Sequence, residues 1–110
     1  MSLHKSAEFT QTEQDLAAFA KAFSHPARIA ILKILAAKNA CICGEIVEVL
    51  PLAQATVSQH LKALKEAGLI QGTINGSKSC YCINWAAFNN FKTQFNILFS
   101  TLEMGNNQCC

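Results

Sequence analysis

Apolar residues recur at helical spacing in two neighbouring stretches near the start of the chain. In "TEQDLAAFAKAF", residues 12–23, Leu16, Phe19, Ala20 and Phe23 follow an i, i+3, i+4, i+7 pattern, which predicts a first amphipathic helix. Thr12 stands where an N-cap is needed, and Asp15 follows three residues later, close to a capping box. "SHPARIAILKILAAKN", residues 24–39, restarts the pattern with Ile31, Leu32 and Leu35 as its buried stripe. Pro26 suits a first helical position, where its missing N–H would have no partner, and Ser24 or His25 precedes it. Asn39 is the expected stop.

"GEIVEVLPL", residues 44–52, reads as a short third helix ended by Pro51. "QATVSQHLKALKEAGLI", residues 54–70, reads as a fourth, with Val57, Leu61, Leu64 and His60 facing inward and Gly68 as its C-terminal glycine. The period then changes from helical to alternating. "LIQGTINGSKSCYCIN" carries Asn75-Gly76 at its centre, and that dipeptide between two extended runs predicts a β-hairpin. A last helix runs through "NWAAFNNFKTQFNILFSTLEMG", capped by Asn84 and ended by Gly105.

The predicted fold is therefore mainly α with a two-stranded β-hairpin, in the order α-α-α-α-β-β-α. Two helices joined by "LPLA" and followed by a two-stranded ribbon have the layout of a winged helix-turn-helix. Residues 1–105 form one domain, and 106–110, "NNQCC", form a flexible tail tipped by thiols.

Composition narrows the class. A hydrophobic fraction of 51% and a charged fraction of 15% belong to a folded chain. Net charge is only +2, but its distribution is uneven. Between Gln54 and Cys82 the charged residues are Lys62, Lys65, Lys78 and Glu66, a local basic bias compatible with nucleic acid. The first fifteen residues lack the apolar core of a signal peptide, and no stretch has the apolar length that spans a membrane. A cytoplasmic location follows as an expectation, with the six cysteines as reduced thiols.

On the fourth helix Gln54, Ala55, Thr56, Ser58, Gln59 and Lys62 lie away from the Val57/Leu61/Leu64 stripe. Small and amide side chains near a helix start suit base edges: Gln pairs with adenine and Ser with several bases. Lys62 and Lys65 suit phosphates, and Asn75, Ser77 and Lys78 at the wing tip suit the flanking backbone or the minor groove. Arg28 either meets a phosphate or pairs internally, and His60 reads as a hydrogen-bonded histidine packed against the neighbouring helix. The expected partner is double-stranded DNA.

The last helix carries more aromatic surface than one small core needs. Trp85, Phe88, Phe91, Phe95 and Phe99, together with Leu16 and Phe19 of the first helix, form the expected interface of a two-fold homodimer. Such a dimer reads two half-sites of a palindromic operator about one helical turn apart.

The stretches "AKAFSHPARIAILKILAA", "CICGEI", "LAQATVSQHLKALKEAGLI" and "INGSKSCYCI" cover most of residues 18–83. In them the chain resembles the ArsR-type repressors, small bacterial winged-helix metal sensors. The resemblance implies a homodimer that occupies its operator without metal and leaves it when a metal or metalloid binds. Two positions depart from that family's pattern. Ile46 stands where the arsenic-sensing pattern has a third cysteine, and the last helix offers only Glu103 where the family's zinc site needs Asp, His and Glu.

The six cysteines fall as Cys41/Cys43, Cys80/Cys82 and Cys109/Cys110. Cys80 and Cys82 are two apart on a strand and share a face. Thiolates select soft ions, so arsenite, cadmium, lead or zinc is the expected inducer, none being required for folding. Cys41 and Cys43 supply two ligands, and a further one comes from Cys80, Cys82, Cys109 or Cys110, with His4 as a weaker candidate. Oxidants or sulfide acting on the thiols give a second sensing reading. A small thiol oxidoreductase is a distant third, because Cys-x-x-Cys, paired carboxylates and a phosphate-binding glycine loop are all missing from the sequence. The chain is not expected to be an enzyme.

Overall fold

The computed structural model of the chain describes residues 8–38, 42–43, 50–73 and 80–106. Within them the elements are α1 (Gln11–Ala22), α2 (Pro26–Lys38), β1 (Ile42–Cys43), α3 (Gln54–Glu66), β2 (Ile70–Thr73), β3 (Cys80–Ile83) and α4 (Trp85–Met104). Residues 44–49 of the short helix expected at 44–52 and the Asn75-Gly76 turn lie outside the described residues, as do 107–110 of the tail, while residues 50–52 are described and are not helical. The predominantly helical, hairpin-bearing layout is otherwise the one its periodicities predict. No helix among the described residues is long and apolar enough to cross a membrane.

Local chemistry explains where the helices start and stop. The α1 cap is Thr10 rather than Thr12: its hydroxyl accepts from the Glu13 amide, and the Glu13 carboxylate accepts from the Thr10 amide. The capping-box spacing fits both threonines, but Glu13 has one methylene more than Asp15 with which to reach back. Pro26 opens α2, as expected. Its cap is unusual, for Nδ1 of His25 accepts from the Ala27 amide at 3.0 Å. At the end of α3 the Leu69 amide donates to the Leu64 carbonyl and the Gly68 amide to that of Lys65. Gly68 sits at φ +84° to complete this Schellman turn. The Asn84 side chain accepts from the Ala87 amide and starts α4, and Gly105 ends it.

The sheet holds a strand that periodicity did not reveal. β3 is central, with β2 antiparallel on one side and the two-residue β1 antiparallel on the other. Tyr81 and Ile83 of β3 are buried while Cys80 and Cys82 are half-buried, so the two thiols point away from the core face. Gly72 stands opposite Tyr81 with φ +139°, and a Cβ there would land on the Cys80 carbonyl.

One core joins these pieces. Ile31, Leu32 and Leu35 of α2 meet Val57, Leu61 and Leu64 of α3 over Leu69, Ile70, Tyr81 and Ile83. Ile31, Val57, Leu64 and Leu69 are completely buried. Each contributes about 1.5–3 kcal/mol by leaving water. Leu50 and Leu52 pack against it and fix the chain's entry into α3.

Candidate nucleic-acid interface and thiol site

The amphipathic pattern of α3 divides its residues as expected. Val57, His60, Leu61 and Leu64 are buried. Gln54, Ala55, Gln59, Lys62 and Lys65 are exposed, and Thr56 and Ser58 are half-buried at the edge of the same outward face. The α3 N-cap is Ala53, whose side chain cannot accept a hydrogen bond. The first amides of α3 are therefore not capped by that side chain, at the end where a phosphate is electrostatically favoured. Asn75, Ser77 and Lys78 lie outside the described residues.

Arg28 turns inward. Its Nε donates to Nδ1 of His60 at 3.2 Å and its Nη1 to the Lys21 carbonyl at 3.4 Å. Of the two roles its sequence position allowed, the internal one is what the geometry presents. His60 is the packed histidine expected, and the ring of His25 lies 4.4 Å from it, centroid to centroid. Burial lowers the pKa of His60 below its ordinary value, with His25 and then Arg28 pushing the same way. Neutral His60 accepts at Nδ1, which puts its proton on Nε2. From local pattern His25 is only a candidate cap; its contact with His60 spans two helices and leaves no local signal.

The aromatic residues split into two groups. Phe19 packs edge-on against Phe91 at 4.8 Å and Phe23 lies 5.1 Å from Phe91, so these rings tie α1 to α4 within one chain. Leu16 and Phe91 are buried, and Phe88 packs against the main core. Trp85 and Phe99 remain exposed, joined by Ile97 and Leu102, while Phe95 and Leu98 line a groove with Leu16, Ala17 and Ala20. The surface available to a second copy thus differs from the expected set: Ile97, Leu98 and Leu102 join it, and Phe19, Phe88 and Phe91 serve mainly inside.

Two cysteine positions meet in the backbone register. The Cα atoms of Cys43 and Cys80 are cross-strand partners between β1 and β3, and Cys82 follows Cys80 on the same face. Against the expectation of reduced thiols, Cys80 and Cys82 are both disulfide-bonded. Cys41, Cys109, Cys110 and His4 lie outside the described residues. No group of three or more Cys, His, Asp or Glu suited to a metal occurs among the described residues. On α4 Glu103 is the sole acidic residue and there is no His, in keeping with the absence of the zinc pattern there.

Comparison with known proteins agrees with this geometry. Residues 25–71 match the family described as bacterial regulatory protein, arsR family. The HTH-type transcriptional regulator YgaV of Escherichia coli is 31% identical over 83 residues, which cover 76% of this chain and 84% of that protein. The arsenical resistance operon repressor of Staphylococcus xylosus is 32% identical over 71 residues, covering 64% and 67%. An ArsR-like transcriptional regulator from Rhodococcus sp. RHA1 superposes with a TM-score of 0.71 at 23% identity, over 86% of this chain and 89% of that one.

Proposed function

Because the chain belongs to the ArsR family of bacterial regulatory proteins, we propose that it is a homodimeric, cytoplasmic repressor released from a palindromic operator by a thiophilic metal or metalloid. The family makes it a DNA-binding transcriptional regulator and not an enzyme. The outward face of α3 carries the reading of sequence: Gln59 and Gln54 address base edges, while Lys62 and Lys65 hold phosphates.

The observation that favours thiophilic induction is the register of Cys43 against Cys80. Cys41 and Cys43 lack a third thiolate from position 46, and the register sets Cys80 of β3 across from Cys43, where reduction of its disulfide would release a thiolate. The donor set fits a soft ion such as arsenite, cadmium or lead, and Cys82 adds a fourth sulfur on the same face. A ligand set drawn from β1 and β3 joins the strand that precedes the DNA-reading helix to the strand that follows the wing. Binding there alters operator affinity only through unequal affinity for the two conformations of the dimer. A repressor named for arsenical resistance among the relatives supports the same ligand class.

The test uses the reduced, full-length protein on a palindromic duplex from upstream of its own gene. Arsenite or cadmium is expected to release it. If the Cys41→Ser, Cys43→Ser double variant is released at the same ligand concentration as the wild type, the assignment of the sensor fails.

A further inference from the structure

We propose that the cavity walled by α2, the end of β3 and the start of α4 binds an amphipathic organic anion, an apolar body carrying a single carboxylate. The cavity measures about 490 Å³, within the roughly 300–1,000 Å³ of small-molecule sites. Phe23, Trp85 and Phe88 supply its rings, with Phe88 lying 6.0 Å from each of the other two, centroid to centroid. Ile29 and Ala36 of α2 add aliphatic surface, and Ile83 enters from the core face of β3, the side away from Cys80 and Cys82.

Charge decides the class of ligand. Lys33 is the sole charged side chain among the described residues that line the cavity. A lysine lays its methylenes along apolar surface and keeps its ammonium at the water, which sets a cation at the mouth. The first turn of α4 adds the positive end of a 20-residue helix and carries no acidic residue. An apolar cavity with a cationic rim matches an apolar body with one anionic head.

Size decides against a protein partner. The large exposed apolar side chains of the cavity are Ile29 and Trp85, at 47% and 49%. A stable protein interface engages about 20–30 residues a side. The groove lined by Leu16, Ala20, Phe95 and Leu98 lies farther along α4, Phe95 following Phe88 by about 10 Å of helix rise. A ligand in the cavity joins two parts of the fold. Leu32 and Ile83 belong to the core beneath α3, whereas Trp85 and Phe88 open α4. Binding there stabilises the folded chain by mass action. No thiol lines the cavity, so the site is independent of the sensor reading above.

The experiment uses the full-length protein, with decanoate as the probe and decan-1-ol as its neutral counterpart, both below their micelle and solubility limits. Trp85 is the single tryptophan of the chain, so its emission reports on the cavity directly. Decanoate is expected to shift that emission to the blue in a saturable way and to raise the melting temperature. Lys33→Gln is expected to weaken decanoate about two- to fivefold, the yield of an exposed ion pair, and to leave decan-1-ol unchanged. Ala36→Phe is expected to fill the cavity and abolish both, with an unchanged far-ultraviolet circular dichroism spectrum. Ile29→Asp, at an exposed position, repeats that test should Ala36→Phe not fold. A wild type without a saturable shift overturns the site, as does either folded variant that binds decanoate like the wild type. Equal weakening of acid and alcohol in Lys33→Gln overturns the anionic class. Emission that moves with protein concentration before any probe is added shows a second copy over Trp85 and overturns the proposal as well.

Discussion

Arg28 donates from Nε to Nδ1 of His60, joining the first turn of α2 to the buried face of α3 across 32 residues of sequence. His25, which caps α2 with its own Nδ1, lies against the same imidazole. The three side chains therefore set how α3 sits on the helix behind it. Arg28→Ala leaves a buried acceptor without its donor and is expected to cost about 1–3 kcal/mol in denaturant unfolding. A loss within error of zero would remove this contact from the list of what orients α3.

The same cluster makes stability depend on pH. Burial, then His25 and Arg28, hold the folded-state pKa of His60 below its unfolded value of 6.5. The unfolded chain thus takes up the proton first as pH falls. Stability from this group is complete above pH 6.5 and declines from there down to the folded pKa. Melting temperature is expected to drop between pH 7 and pH 5, and to drop less in His60→Gln. An equal drop in both proteins would place the pH dependence elsewhere.

Two glycines separate backbone strain from steric conflict. Gly68, at φ +84°, has open space where a Cβ would stand, so Gly68→Ala is expected to cost about 1–2 kcal/mol, the left-handed penalty alone. Gly72, at φ +139°, would drive its Cβ into the Cys80 backbone. Gly72→Ala is expected to cost more than Gly68→Ala, since β2 must part from β3 to admit the methyl. Chemical denaturation of the two variants ranks them, and the reverse order would contradict the close approach at Gly72.

What the sequence disclosed followed the range of each interaction. The helix starts at Pro26 and Asn84, the turn at Gly68 and the inward stripe of Val57, Leu61 and Leu64 depend on neighbours within a few residues, and all were legible. The α1 cap was ambiguous because Thr10/Glu13 and Thr12/Asp15 satisfy the same local rule. β1 was hidden because two residues carry no periodicity, and its partner strand lies 37 positions on from Cys43 to Cys80. That strand is what brings Cys43 level with Cys80. The inward turn of Arg28 was open for the same reason, its partner being on another helix.

The base reading and phosphate holding proposed for α3 are separable. Gln59→Ala is expected to lose about 1–3 kcal/mol of preference for the operator over unrelated duplex while keeping salt-dependent background binding. Lys62→Ala is expected to weaken all sequences alike and to reduce the salt slope by about 0.9. Fluorescence anisotropy on two duplexes at several salt concentrations measures both. Uniform loss in Gln59→Ala would argue that this residue holds the backbone instead of a base.

The outer face of α4 poses the last question, because Phe99 and Leu102 are 53% and 61% exposed. At 3.6 residues per turn Phe99 and Leu102 fall on the side of α4 that also carries Phe95 and Leu98, which line a groove with Ala20, whereas Ile97 lies on the opposite side. A contiguous apolar strip of this kind is costly in water and suits an isologous contact, in which each copy lays its own strip against the other's. Since Phe99 and Leu102 contribute little to the intrachain core, aspartate at both should spare folding. Phe99→Asp with Leu102→Asp is therefore expected to sediment as a folded monomer at micromolar concentration while the wild type sediments as a dimer. The variant's operator affinity should fall as well, since one α3 then reaches only one half-site. A wild type that is monomeric under these conditions, or a variant that remains dimeric, would show that the strip is not what joins the copies.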